Sequence, residues 1–252
     1  MNKELTDAFN RLSYGYQRLA SNFRGVLDDD LIEKYSSYEN ERLEYIKQKI
    51  SFKDARILDI GGNTGFFSYE SINSGAVHAD YYEGNGESMD FMKKSVAFFK
   101  MEDKINMNEG YYSFDEDHSN KYDIAYLLNV VHHIGGRSGD EMMDDMEEAK
   151  RNMIAAVNAM SANVSTLIFQ MGFNWRGEVK HCLFTNGTKK EVIDFITEGT
   201  RDHWHVDAIG IAERHENGIV YADCNDTNIK RDDSLGEFLN RPLFIMSNIT
   251  KK

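Results

Sequence analysis

The chain has 252 residues, of which 41% are hydrophobic and 28% charged, and its 29 basic and 42 acidic residues give a net charge of −13. This composition is typical of a globular protein with one sizeable core, and the two cysteines, Cys182 and Cys224, exclude a disulfide framework. So acidic a chain argues against nucleic acid as the main partner, because phosphate backbones bind by releasing counterions to Lys and Arg.

Short apolar runs alternate with longer helical periods along the chain, which predicts an α/β domain with a parallel sheet. Residues 1–50 have a helical pattern, and a helix is expected to begin near Leu31, after the acids at 28–30. Strands are then predicted at 56–60, 76–82, 105–107, 123–129, 166–170, 206–211 and 243–247. Helices are predicted from Phe66, over 88–100, after the fourth strand and over 189–198.

In the helix after the fourth strand, apolar residues from Met142 to Met160 recur at steps of three and four, which predicts a core-facing stripe. The pattern as a whole predicts a doubly wound, mostly parallel sheet of about seven strands. We expect this sheet in a domain at 51–252, preceded by an N-terminal helical lid segment at 1–50.

A glycine-rich turn follows the first strand. Asp59-Ile60 leads into Gly61-Gly62-Asn63-Thr64-Gly65, and a helix is expected from Phe66. Glycines let the backbone pass close to a ligand, and a helix N-terminus presents free N–H groups. Since parallel strands bring their carboxyl ends to one crevice, Asp59 and Glu83, at the end of the second strand, are expected to meet there. The dinucleotide fingerprint GxGxxG fails, because Asn63 and Phe66 occupy positions that it requires to be glycine.

This turn, an acid followed by a GxGxG-like run, resembles that of class I, Rossmann-like methyltransferases that use S-adenosyl-L-methionine. The resemblance covers residues 53–170. It implies that Asp59 and Gly61 lie by the methionine part of the cofactor. It also implies that Glu83 accepts hydrogen bonds from both ribose hydroxyls, a task for which a carboxylate has enough acceptors. Asn63 replaces the family's usual glycine, but asparagine reaches the left-handed region more easily than most residues.

The cofactor-binding residues implied by the resemblance extend beyond this turn, to the ends of the second, third and fourth strands. Asp80 is the alternative acid if the strand register differs. The implied set is Asp59, Gly61, Gly62, Asn63, Gly65, Glu83, Gly84, Tyr111 and Asn129.

The run Asn129-Val130-Val131-His132-His133 follows the fourth strand. It resembles a motif in many small-molecule methyltransferases, in which an Asn or Asp is followed three residues later by a residue that faces the methyl acceptor. The resemblance therefore implies that Asn129 and His132 are catalytic, with His132 as a base near neutral pH. Either histidine could instead pack at the strand–helix junction. We favour packing for His133, which remains a substrate-binding candidate.

The loop after the fifth strand is aromatic and basic, and loops at that end of such a sheet carry substrate contacts. Arginines there and near the C-terminal end could bind phosphate or carboxylate, although Asp232 and Asp233 favour a local ion pair for Arg231. The N-terminal helices are expected either to form a lid that expels water or to pack or dimerise. The further substrate-binding candidates are Tyr16, Arg18, Asn174, Trp175, Arg176 and Arg241.

The run from Asn228 to Pro242 resembles tailoring methyltransferases encoded with bacterial capsule or surface-polysaccharide genes. It implies methylation, at oxygen or nitrogen, of a sugar, a nucleotide sugar or a small phosphorylated precursor. The alternatives are an RNA methyltransferase, which the acidic charge opposes, and a protein that binds the cofactor without catalysis. We expect a cytoplasmic monomer or homodimer without a metal, which contacts neither nucleic acid nor a membrane.

Overall fold

The computed structural model describes residues 2–13, 17–114, 119–135 and 145–249. Its strands are β1 (Arg56–Ile60), β2 (His78–Glu83), β3 (Ile105–Glu109), β4 (Tyr122–Leu128), β5 (Val164–Gln170), β6 (Trp204–His215), β7 (Gly218–Asp223) and β8 (Leu243–Asn248). Its helices are α1 (Lys3–Asn10), α2 (Asp29–Ile32), α3 (Glu39–Lys49), α4 (Phe66–Asn73), α5 (Gly86–Phe99), α6 (Met146–Ala159), α7 (Lys189–Thr200) and α8 (Gly236–Leu239). Short 3-10 turns lie at Ser21–Phe23, Val131–His133, Met160–Ala162, Trp175–Gly177 and Asp233–Leu235.

The predicted α/β class is confirmed, and each predicted strand is present. Eight strands, rather than about seven, form one sheet in the order β3-β2-β1-β4-β5-β8-β6-β7. The additional strand is β7, which pairs antiparallel with β6 through a tight turn between His215 and Gly218. An Asn-Gly pair between two apolar runs is a strong hairpin signal, so Asn217-Gly218 could have identified this strand.

The chain divides into two compact units, of which unit 1 comprises Met1–Ser113 and Tyr122–Tyr126. In unit 1, β1 and β3 both pair parallel with β2, with Leu58 opposite Asp80 and Asp80 opposite Asn106. Aromatic rings dominate part of its core: the Phe23 ring centroid lies 5.1 to 5.6 Å from three other ring centroids, those of Tyr69, Phe91 and Phe99. Phe23 therefore anchors the N-terminal segment in the core of this unit.

The N-terminal segment of unit 1 is helical only in part. The helix expected near Leu31 begins earlier, at Asp29, and ends after four residues, at Ile32. Asp28 occupies the N-cap position, but its side chain makes no capping hydrogen bond. The predicted helix near Leu31 is therefore present but only one turn long, and its N-cap residue, Asp28, does not supply the side-chain cap that the acids at 28–30 could have given.

Unit 2 comprises Phe114–Lys121 and Leu127–Lys252. In it β8 runs antiparallel to both β5 and β6. The stripe predicted along α6 is confirmed as a core face, since Ala149, Met153, Val157 and Met160 are buried. Met142 lies outside the described residues. No helix within the described ranges is long and apolar enough to cross a membrane.

Candidate functional site

The glycine-rich turn between β1 and α4 has three residues in the left-handed region. Gly61 has φ +70°, Gly65 has φ +77°, and Asn63 has φ +50°. Glycine adopts this conformation without strain, and asparagine is among the few other residues that do so regularly. The expectation that asparagine at this position preserves the turn is therefore met.

Tyr81, in the middle of β2, explains why Gly62 must be glycine. A Cβ atom at Gly62 would lie 2.5 Å from Tyr81 Cε2 and 2.9 Å from Asp59 Oδ2. Both distances are too short for non-bonded atoms, so a side chain at this position would force its neighbours to move. The Tyr81 hydroxyl also donates to the carbonyl oxygen of Asn63 at 2.5 Å. The turn is thus held against β2 by a contact that any side chain at Gly62 would displace.

Asp59 is a buried carboxyl at the end of β1. It is 2% exposed, and its Oδ2 accepts a hydrogen bond from Ser68 Oγ at 2.7 Å. Burial raises the pKa of Asp59 to about 6; the hydrogen bonds from Ser68 lower it in part, and the nearby charge of Glu83 raises it further. At neutral pH this carboxyl is mostly ionised although it is buried, so a bound cation would offset the cost of burying its charge.

Glu83 ends β2 beside the turn, as predicted. Its Oε2 accepts from the N–H of Asn63 at 2.9 Å, and its Oε1 accepts from the N–H of Asn85 at 2.7 Å. A carboxylate has about four acceptor sites on its two oxygens, and these two contacts involve one on each oxygen. These two backbone contacts fix the direction of the carboxylate before any ligand binds.

Tyr111 presents an aromatic face next to Glu83. It is 55% exposed, and a Cβ atom at Gly84 would lie 2.7 Å from its Cδ1 atom. The ring therefore lies flat against the backbone of Gly84, which must be glycine for this approach. An exposed ring of this kind offers an apolar surface on which a flat heterocycle can stack.

The alternative acid, Asp80, has a different role. It is 2% exposed, and its two oxygens accept from Asn106 Nδ2 at 2.6 Å and from the Tyr122 hydroxyl at 2.8 Å. Its carboxylate is thus engaged within the sheet. Glu83 is the acid that stands at the strand end.

The start of α4 corrects one expectation. The first N–H groups of this helix were expected to be free for a ligand, but the N–H of Phe66 donates to the side-chain oxygen of Gln17 at 3.1 Å. Arg18 forms an ion pair with Glu33. Tyr16 lies outside the described residues. The N-terminal helices were expected to form a lid or to pack or dimerise, with Tyr16 and Arg18 as substrate candidates; in the structure the neighbouring Gln17 contacts the turn.

In unit 2, Asn129 directly follows β4 in the left-handed region, with φ +60°. Its Nδ2 donates to Gln170 Oε1 at 3.2 Å, and its Oδ1 accepts from Arg241 Nη1 at 2.7 Å. Gln170 is fully buried and donates in turn to the carbonyl oxygen of Arg241 at 3.0 Å. This closed ring of hydrogen bonds fixes which side of the Asn129 amide carries the oxygen.

The charge of Arg241 is balanced by Glu237, a residue that the sequence reasoning missed. The Arg241 Nε and Nη2 atoms lie 3.1 Å and 2.5 Å from Glu237 Oε2, and Glu237 Oε1 accepts from the N–H of Phe173 at 3.1 Å. An acid four residues before an arginine on a helix is a recognised pairing signal, and it could have identified Glu237. Arg241 therefore joins three segments of unit 2 instead of offering an unbalanced charge to an anion. Arg231 pairs with Asp233 at 2.6 Å, as its acidic neighbours suggested.

His132 is more buried than His133, whereas His132 was expected to face the acceptor and His133 to pack. His132, the expected base, is only 2% exposed, and its Nδ1 accepts from the N–H of Gly172 at 3.2 Å. In the neutral ring this contact assigns the proton to Nε2 and engages the lone pair of Nδ1. His133 is half-buried and packs against His132, with ring centroids 4.2 Å apart and ring planes tilted by 38°.

The loop after β5 is held against the segment that carries the histidines. Trp175 is 3% exposed and its Nε1 donates to the carbonyl oxygen of Ile134 at 2.8 Å. Arg176 Nη2 donates to the carbonyl oxygen of Gly135 at 2.9 Å, and its guanidinium lies 4.2 Å from the centre of the Trp175 ring. Asn174 is half-buried, and its backbone pairs antiparallel with that of Cys182. Trp175 is thus a packing residue of this loop.

No protein-family model matches the sequence, and no curated protein matches it. Among solved structures the chain is similar to WbdD, with a TM-score of 0.65 and 13% identity over 96% of this chain and 46% of that one. A second structure, of the bifunctional kinase-methyltransferase WbdD, gives a TM-score of 0.63 and 14% identity with the same coverage. The chain has the class I methyltransferase fold.

Because the sequence identities are only 13% and 14%, this similarity establishes the class I methyltransferase fold and nothing further. The chain spans about half, 46%, of the length of the WbdD chains it resembles. PH1948 from Pyrococcus horikoshii, described as a candidate RNA methyltransferase, has 16% identity over 99% of this chain and 100% of that chain. Its TM-score of 0.48 is too low to support an argument about RNA.

Within the class I methyltransferase fold, the predicted residues form two groups. Unit 1 brings together Asp59, the turn from Gly61 to Gly65, Glu83 and Tyr111. Unit 2 brings together Asn129 and Arg241, and it joins the histidines to the loop after β5 through His132 and Gly172. The first group has the acceptors and the aromatic face that a nucleoside ligand needs, and the second is a hydrogen-bonded polar cluster.

Proposed function

We propose that the protein transfers a methyl group from S-adenosyl-L-methionine to an oxygen or nitrogen atom of a small molecule. The observation that carries the proposal is the arrangement in unit 1, where a buried acid, a glycine-rich turn and a second acid with fixed direction follow β1 and β2. The class I methyltransferase fold supports the same reading. Fold alone does not determine chemistry, so the argument rests on these residues.

The residues of unit 1 fit this cofactor. Ionised Asp59 would hold the ammonium group, Glu83 would accept from the ribose hydroxyls, and Tyr111 would stack on the adenine. At Gly62 and Gly84 the space of a Cβ atom is filled by Tyr81 and Tyr111, whose rings hold the turn and the end of β2 in place. When bound, S-adenosyl-L-methionine supplies a methyl group on a positively charged sulfur, which is displaced in line by the acceptor.

Unit 2 would align the acceptor. An in-line transfer requires the acceptor lone pair to point along the bond that breaks, and fixed hydrogen-bonding groups provide that orientation. Asn129 is fixed by Gln170 and Arg241. These two contacts use one of its two Nδ2 hydrogens and one of the two lone pairs on its Oδ1, so the other hydrogen and lone pair can orient an acceptor. We assign to Asn129 the alignment of a hydroxyl or amine.

The histidines would remove the proton of the acceptor. His133 is the better placed of the two, since it is half-buried, whereas His132 is 2% exposed and its Nδ1 is engaged by Gly172. His132 would then be a packing residue, with its ring centroid 4.2 Å from that of His133. Neutral imidazole is a suitable base near neutral pH.

The charge pattern favours a saccharide over RNA as the acceptor. Three basic side chains of unit 2 are each paired with an acid: Lys180 with Glu178 at 2.9 Å, Arg231 with Asp233 at 2.6 Å, and Arg241 with Glu237 at 2.5 Å. RNA binding depends on basic groups that release counterions, and a net charge of −13 opposes it. We therefore propose a sugar or nucleotide sugar, or a small phosphorylated precursor, of surface polysaccharide as the substrate class.

The test is to incubate the protein with methyl-labelled S-adenosyl-L-methionine and three kinds of acceptor. These are nucleotide sugars with their free sugars, fractionated cell metabolites, and short RNA oligonucleotides. The proposal predicts label in a saccharide-containing fraction and none in RNA. Label in RNA alone would establish the RNA methyltransferase instead. Cofactor binding without label in any fraction would favour a protein that binds the cofactor without catalysis.

A further inference from the structure

The N-terminal segment supplies the cap of the helix that follows the glycine-rich turn. The side-chain oxygen of Gln17 accepts from the N–H of Phe66 at 3.1 Å and lies 3.0 Å from Thr64 Oγ1. Thr64 is fully buried, and its hydroxyl also lies 3.2 Å from the carbonyl oxygen of Arg18. Two residues of the N-terminal segment therefore hold the last part of the turn.

This cap is needed because α4 has no local one. The N-cap residue is Gly65, which has no side chain with which to accept from the first N–H groups of the helix. Helix termini leave such groups without partners, and an oxygen that accepts from them stabilises the helix start. In the absence of Gln17, the buried Thr64 hydroxyl and the Phe66 N–H would both lose this oxygen as a partner. The conformation of the turn thus depends on a residue 49 positions away.

Other contacts attach the same segment along α4 and at the start of α5. The N–H of Ser21 donates to Glu70 Oε1 at 2.6 Å, and Asn73 Nδ2 donates to Asn22 Oδ1 at 2.7 Å. Nearer the N-terminus, the N–H of Ser13 donates to Glu87 Oε2 at 2.6 Å, in the first turn of α5. The segment is therefore docked along α4 and at the first turn of α5, the two helices that follow Asp59 and Glu83 in the chain.

We propose that Gln17 is a positioning residue of the cofactor site, and that cofactor binding and docking of residues 17–23 on α4 stabilise each other. The inference rests on the proposed function, because it takes the glycine-rich turn as the place where the cofactor binds. Its physical basis is linkage. A group that favours the binding-competent turn raises cofactor affinity, and the cofactor then favours docking of that group by the same factor.

The first experiment compares Gln17→Met with Asn158→Ala. Methionine keeps the length of the side chain but lacks the amide oxygen, so the Phe66 N–H and the Thr64 hydroxyl lose this acceptor. The Kd for S-adenosylhomocysteine, measured by calorimetry, should rise about three- to tenfold, the usual effect of one hydrogen bond. Asn158→Ala is the control, because it loses one side-chain hydrogen bond, to the carbonyl oxygen of Gly199, that involves neither the N-terminal segment nor the turn. It should lower the melting temperature and leave the Kd unchanged.

The second experiment measures hydrogen exchange in the unmodified protein, which keeps the inference testable if Gln17→Met does not fold. Saturation with S-adenosylhomocysteine should slow exchange of the Ser21 amide, which bonds to Glu70 on the side of α4. Linkage predicts slowing by about the same factor as the change in Kd.

The outcomes separate the inference from the proposed function. If the parent protein binds S-adenosylhomocysteine, and Gln17→Met binds it equally well or ligand leaves Ser21 exchange unchanged, the role of Gln17 is refuted while the cofactor site stands. If Asn158→Ala weakens binding as much as Gln17→Met, the effect is general destabilisation and the inference also fails. If the parent does not bind S-adenosylhomocysteine, the proposed function and the inference fail together.

Discussion

Replacing Asp59 with asparagine should stabilise the protein without ligand at neutral pH. Burial raises the pKa of Asp59 from its usual 3.8 to about 6. At about 1.4 kcal/mol per pKa unit, a shift of about two units corresponds to roughly 3 kcal/mol of unfolding free energy. Asparagine carries no charge to bury, and its side-chain oxygen can still accept from Ser68.

The sign of the pH dependence follows from the direction of the shift. Between pH 4 and pH 6 the folded protein holds a proton on Asp59 that the unfolded chain releases, so the free energy of unfolding falls as the pH rises through this window. The parent protein therefore lacks this stabilisation at pH 7, and the variant has no such loss. The two proteins should be nearly equal in stability at pH 4, and the variant should be more stable by up to about 3 kcal/mol at pH 7.

Urea unfolding between pH 4 and pH 7.5 measures this difference. Asp103→Asn, at an exposed carboxyl, is the matched control and should change the free energy of unfolding little at any pH. The same Asp59→Asn protein should bind S-adenosylhomocysteine more weakly, because it has lost the negative charge that faces the ammonium group. Two results would refute the reasoning. In the first, the difference in unfolding free energy between Asp59→Asn and the parent does not change with pH; in the second, the variant is less stable than the parent at pH 7.

Four further substitutions test the roles assigned above. Glu83→Ala should weaken S-adenosylhomocysteine binding by about 1 to 3 kcal/mol in calorimetry, with little change in melting temperature, since its contacts with the ligand are charge-assisted; unchanged affinity would contradict its role. Arg241→Lys loses the forked contact with Glu237, so it should lower the rate of methyl transfer to the labelled acceptor and leave cofactor affinity unchanged. An equal loss of transfer rate and of cofactor affinity would indicate a general structural effect. His133→Ala should reduce turnover by about 10²- to 10⁴-fold, whereas His132→Ala should act mainly on thermal stability; the reverse result would make His132 the base.

The part of the site that could be predicted from the sequence is local. Asp59, the glycines of the turn and the start of α4 follow one another in the chain, so strand, turn and helix signals reinforce one another. Glu83 was predictable for the same reason, because a second strand of known direction must end near the first. The left-handed conformation of Asn63 also followed from the residue type.

The residues that were missed act over long separations. Gln17 contacts Phe66 across 49 positions, and Glu237 contacts Phe173 across 64. A polar side chain that caps a distant backbone group leaves no periodic pattern, so its role becomes visible only when the chain is folded. Glu237 had a local signal in its spacing from Arg241, but that signal concerns the ion pair and not the contact with Phe173.

The histidine pair shows a third limit. His132 and His133 occupy consecutive positions of one 3-10 turn, Val131–His133, and their burial depends on which side of that turn faces Gly172. Sequence reasoning assigned catalysis to the first on the basis of a motif. Only the packing shows that the first is buried and the second half-buried. Adjacent residues of the same type cannot be distinguished by composition or spacing.

Calorimetric titration of the protein with S-adenosylhomocysteine at pH 7.5, beside a titration with NAD, tests the central claim most directly. The account predicts saturable binding of S-adenosylhomocysteine at one site per chain and no binding of NAD. The turn and its two acids resemble those of S-adenosyl-L-methionine sites, and Asn63 and Phe66 stand where the NAD fingerprint GxGxxG requires glycine. Binding of NAD without binding of S-adenosylhomocysteine would contradict it.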